Sequence, residues 1–194
     1  MPLMLPPDFV AAPQCLENKV ILVTGAGDGI GRAAALSYAQ HGATVILLGR
    51  TIEKLEAVYD EIEAAGYPQA AIYPVHLRGA AMKDYEELAN TIEREFGRLD
   101  GLLHNAGVLG QRRTLAQTTV DSWDEVLHVN LTAPFMMTQA LLPMLAAAEN
   151  ASIILTSSSV GRKGRAFWGA YAVSKFGLEG MMQILAEEEF ELNN

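Results

Sequence analysis

The feature that most constrains this chain is an alternation. Short apolar runs are separated by stretches with helical periodicity. The runs are "KVILVTG", "TVILLGR", "AAIYPVHL", "LDGLLHNAG" and "SIILTSSS". The first two are apolar throughout, which marks strands buried on both faces. "AGDGIGRAAALSYAQHGA", "TIEKLEAVYDEIEAAG" and "MKDYEELANTIEREFG" read as the intervening helices. A long helix is expected from Ser122 to about Leu145, kinked or shortened at Pro134 and Pro143, and a last one runs from Gly169 to the end. Strands alternating with helices of this length specify βαβ units, hence an α/β fold with a parallel sheet. The right-handed crossover then puts helices on both faces.

The chain has 194 residues, 50% of them hydrophobic, and no repeat or linker, so residues 1–194 are expected to form one domain. Residues 1–15 are expected to be an extended arm. Pro2, Pro6, Pro7, Pro13 and Asp8 interrupt any helical core there, and no basic start precedes it, so a signal peptide is not expected. The net charge of -9 excludes a general nucleic-acid binder. Cys15 is the only cysteine, which rules out an intrachain disulfide and fits a reducing cytoplasm. No uninterrupted apolar stretch reaches bilayer length, so no membrane partner is expected.

"TGAGDGIG", Thr24 to Gly31, lies directly between the first strand and the first helix. Glycines there let backbone N–H groups approach a diphosphate, and a helix N-terminus favours its charge. Gly25, Gly27, Asp28, Gly29, Ile30 and Gly31 are therefore candidate cofactor contacts in a Rossmann-type, doubly wound, three-layer α/β/α fold. The second strand ends in Gly49 and Arg50, where NAD enzymes place an acid for the ribose 2′-OH. Loss of the acid and gain of an arginine both favour a 2′-phosphate, hence NADP over NAD.

"GAYAVSKFGLEG" sets Tyr171 and Lys175 one turn apart on an apolar helix. Helical geometry alone allows a packed tyrosine and a snorkelling lysine. Taken with "TGxxxGIG", "HNAG" and a strand-end serine in the same order, the pair resembles the short-chain dehydrogenase/reductase family, from about Cys15 to Glu189. "LLGR", "DGLLHNAG" and "SSSVGRKGRAFWGAYAVSKF" look close to a bacterial subgroup, the YciK-like oxidoreductases.

The resemblance implies that Tyr171 is the general acid/base, protonating a carbonyl oxygen during reduction. A free phenol titrates near 10, and a cation fixed nearby favours its ionised form. Lys175 is implied in that role and at the nicotinamide ribose. The family's serine, thirteen residues before the tyrosine, falls on Ser158, with Ser157 and Ser159 as flanking alternatives. Asn130 in "HVNLTAPF" matches the family's helix asparagine, which supports a water-mediated proton relay to Lys175. Asn105, Ala106 and Gly107 are implied to line the adenosine side. His104 replaces the family's asparagine and reads as a structural substitute. His76 stands where an acid often meets the adenine, and Leu77 contributes there through its backbone. His41 and His128 show no metal-ligand spacing, and no metal is expected.

The leading reading is an NADP-dependent oxidoreductase for a small-molecule carbonyl or alcohol, assembled as a homodimer or homotetramer. The apolar excess of "FMMTQALLPML" and "FGLEGMMQIL" is the cue for assembly. A second reading is a non-catalytic NADP-binding relative, and a third a structural dimerisation module. Near the mouth, "GRKGRAFWG" offers Arg162, Lys163, Arg165, Phe167 and Trp168 to an anionic or aromatic-tolerant substrate. The resemblance also implies a continuation beyond "EEEFELNN", with a strand beside "SIILTSS" and a substrate lid. The chain by itself is expected to be a poor, marginally soluble catalyst, and the natural protein to be longer.

Overall fold

In the computed structural model, residues 8–192 are described, with side chains to Glu188. Five strands form one sheet: β1 Val20–Thr24, β2 Thr44–Gly49, β3 Ala71–Pro74, β4 Gly101–His104 and β5 Ser152–Leu155. Six helices accompany them: α1 Gly29–Gln40, α2 Ile52–Ala64, α3 Met82–Phe96, α4 Val120–Leu127, α5 Ala133–Ala146 and α6 Gly169–Leu192. The strand order is β3-β2-β1-β4-β5, and every pairing is parallel.

The two-sided apolar character of the strands has a direct structural cause. Leu22, Ile46, Leu48 and Leu102 face one layer, where Tyr85, Leu88 and Ile92 of α3 meet Leu141 and Leu145 of α5. Ile21, Val23, Val45, Leu47 and Leu103 face the other, against Ala35 and Ala39 of α1 and Leu55, Val58 and Ile62 of α2. Each strand residue from Val20 to Thr24 is buried. The sheet is thus the middle of three layers, as its composition required.

Several boundaries differ from expectation. β3 stops at Pro74, and His76 and Leu77 lie in the turn beyond it. β5 stops at Leu155, so Ser157 and Ser158 stand on irregular backbone and Ser159 opens a 3₁₀ turn, none of them in the strand. The expected extended arm falls partly on residues 1–7, outside the described residues. From Pro13 to Asn18 the chain is a run of turns, tied down by the Leu16 N–H donating to His41 O at 2.9 Å.

The expected long helix is a rod of three pieces, α4, a π-helical turn at His128–Thr132, and α5. Pro134 explains the irregularity. It has no N–H for the Asn130 carbonyl, its partner four residues back in an α-helix, so the ladder must shift there. Pro134 itself sits harmlessly in the first turn of α5. The rod runs over Val120–Ala146 (27 residues) and by length and composition alone matches a bilayer-crossing helix, as the buried helix of a protein core also can. Of its most apolar window, 44% is buried inside the molecule.

Candidate functional site

Consecutive strands wind outward in opposite directions from the gap between β1 and β4. The crevice at the carboxyl ends of strands, where the winding reverses, is where such sheets bind ligands. Here a cleft of about 270 Å³ opens at that point. Its lining includes Gly25, Gly27, Asp28, Arg50, His76, Leu77, Ala106 and Gly107, all singled out from the sequence.

The turn after β1 has little room for a side chain at Gly25, Gly27 and Gly31. Gly25 lies at φ +68°, in the left-handed region that favours glycine. A Cβ on Gly31 would fall 2.2 Å from the Gly25 carbonyl oxygen and 2.6 Å from Asn105 Nδ2. Thr24 ties this turn to the loop after β4, since its Oγ1 accepts from the N–H groups of Asn105 and Ala106 at 3.0 and 3.1 Å. Asp28 caps α1 by accepting from the Gly29 N–H at 2.8 Å. Gly29 and Ile30 open that helix; Ile30 projects outward at 68% exposure.

Across the cleft Arg50 is exposed and has no acidic partner among the described residues. Lys54, Thr51, Arg78 and Glu125 also line the cleft and were not singled out from the sequence. Lys54 lies in the first turn of α2, which begins two residues after Arg50. Its Nζ pairs with Asp28 Oδ2 at 2.5 Å, and this contact holds the Asp28 carboxyl below the usual carboxylate range. Arg78 reaches Glu125 at 3.7 Å.

The second half of the site stands on α6 and the rod. Lys175 is 3% exposed; its Nζ donates to the Thr156 carbonyl at 2.6 Å and lies 5.6 Å from the Tyr171 ring centroid. Burial lowers the pKa of this ammonium from its ordinary value. Asn130, on the π-helical turn, is 1% exposed. Its Oδ1 accepts from the Val108 N–H at 2.8 Å, and its Nδ2 donates to Val108 O at 2.9 Å and Ser174 Oγ at 3.1 Å. The loop after β4 joins the two halves. A Cβ on Gly107 would lie 3.3 Å from Asn130 Oδ1 and 3.9 Å from Lys175 Nζ.

Three serines follow β5. Ser157 Oγ is buried without a hydrogen-bond partner among the described residues. Ser158 is extended and half-buried, its Oγ accepting weakly from the Val160 N–H at 3.4 Å. Ser159 is exposed in a 3₁₀ turn. His104 is a buried core residue. It is 4% exposed, its Nε2 is 2.9 Å from Thr138 Oγ1, and burial pushes its pKa down to about 3, so the ring is neutral.

A Gly-rich turn at the switch point, with a tyrosine and a lysine on consecutive turns beside it, defines a class. The family model described as short chain dehydrogenase matches residues 19–193. The chain belongs to the short-chain dehydrogenase family of oxidoreductases, as its motifs implied. Over 173 residues it is 50% identical to the oxidoreductase YciK of Escherichia coli strain K12, spanning 89% of this chain and 69% of that protein. A solved short chain dehydrogenase from Pseudomonas syringae superimposes with a TM-score of 0.91 at 57% identity, covering 93% of this chain and 75% of its own. One from Escherichia coli CFT073, complexed with NADPH, gives 0.88 at 50% identity, over 91% and 74% of the two chains. The resemblance to the YciK-like subgroup therefore holds.

Proposed function

We propose that this chain is an NADP-dependent oxidoreductase that interconverts a carbonyl and an alcohol. The observation that carries the proposal is the meeting at Gly107. This glycine lines the cleft, and a Cβ on it would sit 3.9 Å from Lys175 Nζ, so Lys175, with Tyr171 one turn before it, stands next to a residue of the cleft wall. NADP fits the residues present. The turn from Gly25 to Gly31 offers backbone where a Cβ would clash, and Arg50 has its charge unspent among the described residues. The relative from Escherichia coli CFT073 binds NADPH.

Bound NADPH would supply the hydride, and the residues of this chain hold it and manage the proton. Gly25, Gly27, Asp28, Gly29, Ile30 and Gly31 form the diphosphate turn, and Arg50 takes the 2′-phosphate. His76 and the Leu77 backbone meet the adenine, and Asn105, Ala106 and Gly107 the adenosine side. Ser158 donates its hydroxyl to the substrate oxygen, and Tyr171 gives that oxygen its proton. Lys175, held by Thr156, keeps a cation beside the phenol. The Asn130 amide is spent on Val108 and Ser174. Its carbonyl, which Pro134 deprives of an α-helical donor, is the atom left to support a water-mediated relay to Lys175.

The test is NADPH oxidation over a carbonyl panel with wild type and Tyr171→Phe. Turnover should fall at least 10²-fold, the usual scale of a lost acid, with NADPH affinity kept within severalfold. Undiminished turnover in the variant removes the mechanism. Ser158→Ala should fall further than Ser159→Ala. We also propose a homodimer or homotetramer through α5 and α6, on which Phe135, Val173, Phe176 and Ile184 are exposed. Sedimentation as a monomer at micromolar concentration would contradict it.

A further inference from the structure

The chain has 14 basic residues against 23 acidic ones, and six of the basic ones stand in two segments that contain no acid, Asn105–Val120 and Asn150–Leu178. These segments are the loop after β4, then β5, its loop and the start of α6. Lys19, Arg32, Lys54, Arg78, Arg94, Arg98 and Arg162 each pair with a carboxylate. Among the described residues, the cations without such a partner do not scatter. Apart from Arg50 in the cleft, Lys175 beside Tyr171 and Lys83 on α3, they are Arg112, Arg113, Lys163 and Arg165, all in the acid-free loops. An acidic protein has carboxylates to spare for neutralising stray cations. That these are left unneutralised is an observation about where the molecule presents positive potential.

The two loops meet at the start of α6. A Cβ on Gly169 would lie 3.6 Å from Thr118 Oγ1 and 3.7 Å from Leu115 Cδ2. At this junction the Arg112 guanidinium carbon stands 4.6 Å over the Trp168 ring, and the Trp168 ring lies 5.8 Å from that of Tyr171, tilted by 47°. Guanidinium, indole and phenol are therefore in series. Trp168 is held by its backbone, with its N–H donating to Arg165 O at 3.3 Å and its carbonyl accepting from the Ala172 N–H at 2.9 Å. The preceding Phe167 sits at φ +70°, a left-handed conformation costly for a bulky side chain. A guanidinium held over an indole face still carries N–H donors, and their planar fork matches a carboxylate or phosphate in two parallel hydrogen bonds. Neither Arg112 nor Trp168 lines the cofactor cleft, so this cation is separate from the diphosphate turn and from Arg50.

We propose that the carbonyl substrate carries an anionic group, a carboxylate or phosphate, and that Arg112 stacked on Trp168 binds it, with Arg113, Lys163 and Arg165 adding to the local positive field. The proposal rests on the oxidoreductase reading above and names the substrate class for that site. It orients the substrate from one end, so that the carbonyl at the other end reaches Tyr171.

The test compares matched aldehydes with NADPH: benzaldehyde, 4-carboxybenzaldehyde and its methyl ester, and the corresponding aryl phosphate. Expected is a kcat/KM at least tenfold higher for either anionic member than for the neutral ones, shrinking as ionic strength rises. Arg112→Ala should cut that preference by tenfold or more. Arg112→Lys should restore only part of it, since an ammonium lacks the planar fork. Lys83→Ala, outside the site, should leave the preference as in wild type. Equal kcat/KM for charged and neutral members in wild type overturns the proposal, as does an Arg112→Ala loss shared equally by both. A binding readout separates this from the catalytic reading. In a Trp123→Phe background Trp168 is the remaining tryptophan, and benzoate or phenyl phosphate should change its fluorescence where benzyl alcohol does not. Anion binding lost in Arg112→Ala, without turnover of any carbonyl, supports the anion site and sinks the oxidoreductase reading instead. No response to either small anion, with competition only by an acidic peptide, overturns the proposal in favour of a protein-docking patch.

Discussion

The loop after the first strand and the loop after the last one solve recognition in opposite ways. Four of the seven residues from Gly25 to Gly31 are glycine, and a single added carbon on Gly31 would collide with a carbonyl oxygen at 2.2 Å. The segment from Ser157 to Gly169 is richer in side chains, with three serines, three cations, a phenylalanine and a tryptophan among its thirteen residues and Phe167 at φ +70°. A diphosphate offers the same charge and shape in every reaction, so bare N–H groups at a helix end serve it. A substrate is recognised by its particular groups, so that loop presents hydroxyls, rings and charge. Gly31 in the first loop has no room for a Cβ, whereas Gly164 in the second has nothing within 4 Å of one.

The largest effect expected on the nucleotide side is on cofactor choice. Arg50→Ala should weaken NADP binding by about 1.5–3 kcal/mol, the worth of a charge-assisted hydrogen bond, and leave NAD nearly unchanged. Titration of both cofactors against both proteins measures it. Equal wild-type affinity for the two would break the comparison, because the cleft would then have no specific cation.

Next in size, Gly31→Ala should destabilise the fold by about 1–3 kcal/mol, the range for overpacking a tight site, and weaken cofactor binding with it. The offending atoms are the Gly25 carbonyl and Asn105, not the far end of a flexible chain, so little can yield. Gly164→Ala, in the loop after β5, has nothing within 4 Å of its new carbon and should cost far less. Similar losses for the two, read from denaturant midpoints, would erase the proposed contrast.

The effect that is smallest at neutral pH, and grows only on acidification, is a pH dependence. His104 is neutral in the fold with a pKa of about 3, against about 6.5 when unfolded. A base whose pKa is depressed on folding contributes stability that is whole above the unfolded value and lost as pH falls. Unfolding free energy should therefore decline by up to about 1.4 kcal/mol per pH unit below about 6.5, continuing toward pH 3. His104→Asn should flatten that slope between pH 6.5 and 5. An unchanged slope would assign the acid sensitivity elsewhere.

Much of this was legible in the chain. The apolar runs β1 and β2 could only be doubly buried strands, because neither face of either run is polar. The Gly-rich turn, the strand-end Arg50 and the Tyr171–Lys175 spacing were readable because their logic is local, set by φ, helix pitch and charge. Pro134 marked the interruption of the long helix and Pro143 did not, because the consequence depends on which carbonyl loses its donor. The cost appears as a π-helical turn at Asn130 rather than a broken rod. The ends of β3 and β5 were overestimated for a related reason, since a strand lasts only as long as its neighbour does, and β4 supplies just four residues for β5 to pair with.

What the sequence by itself determined is the alternation of strands and helices into layers and the residue types available at each strand end, since periodicity and residue type suffice for those. What only the tertiary structure decided are the meetings between distant segments. Gly107 brings the cleft to Lys175, the Asn130 amide is consumed by Val108 and Ser174, His104 is sealed beside Thr138, and Arg112 lies over Trp168 across more than fifty residues of chain. Such contacts arise from how helices settle on the sheet. No local rule encodes them, because they are fixed only when the whole core packs.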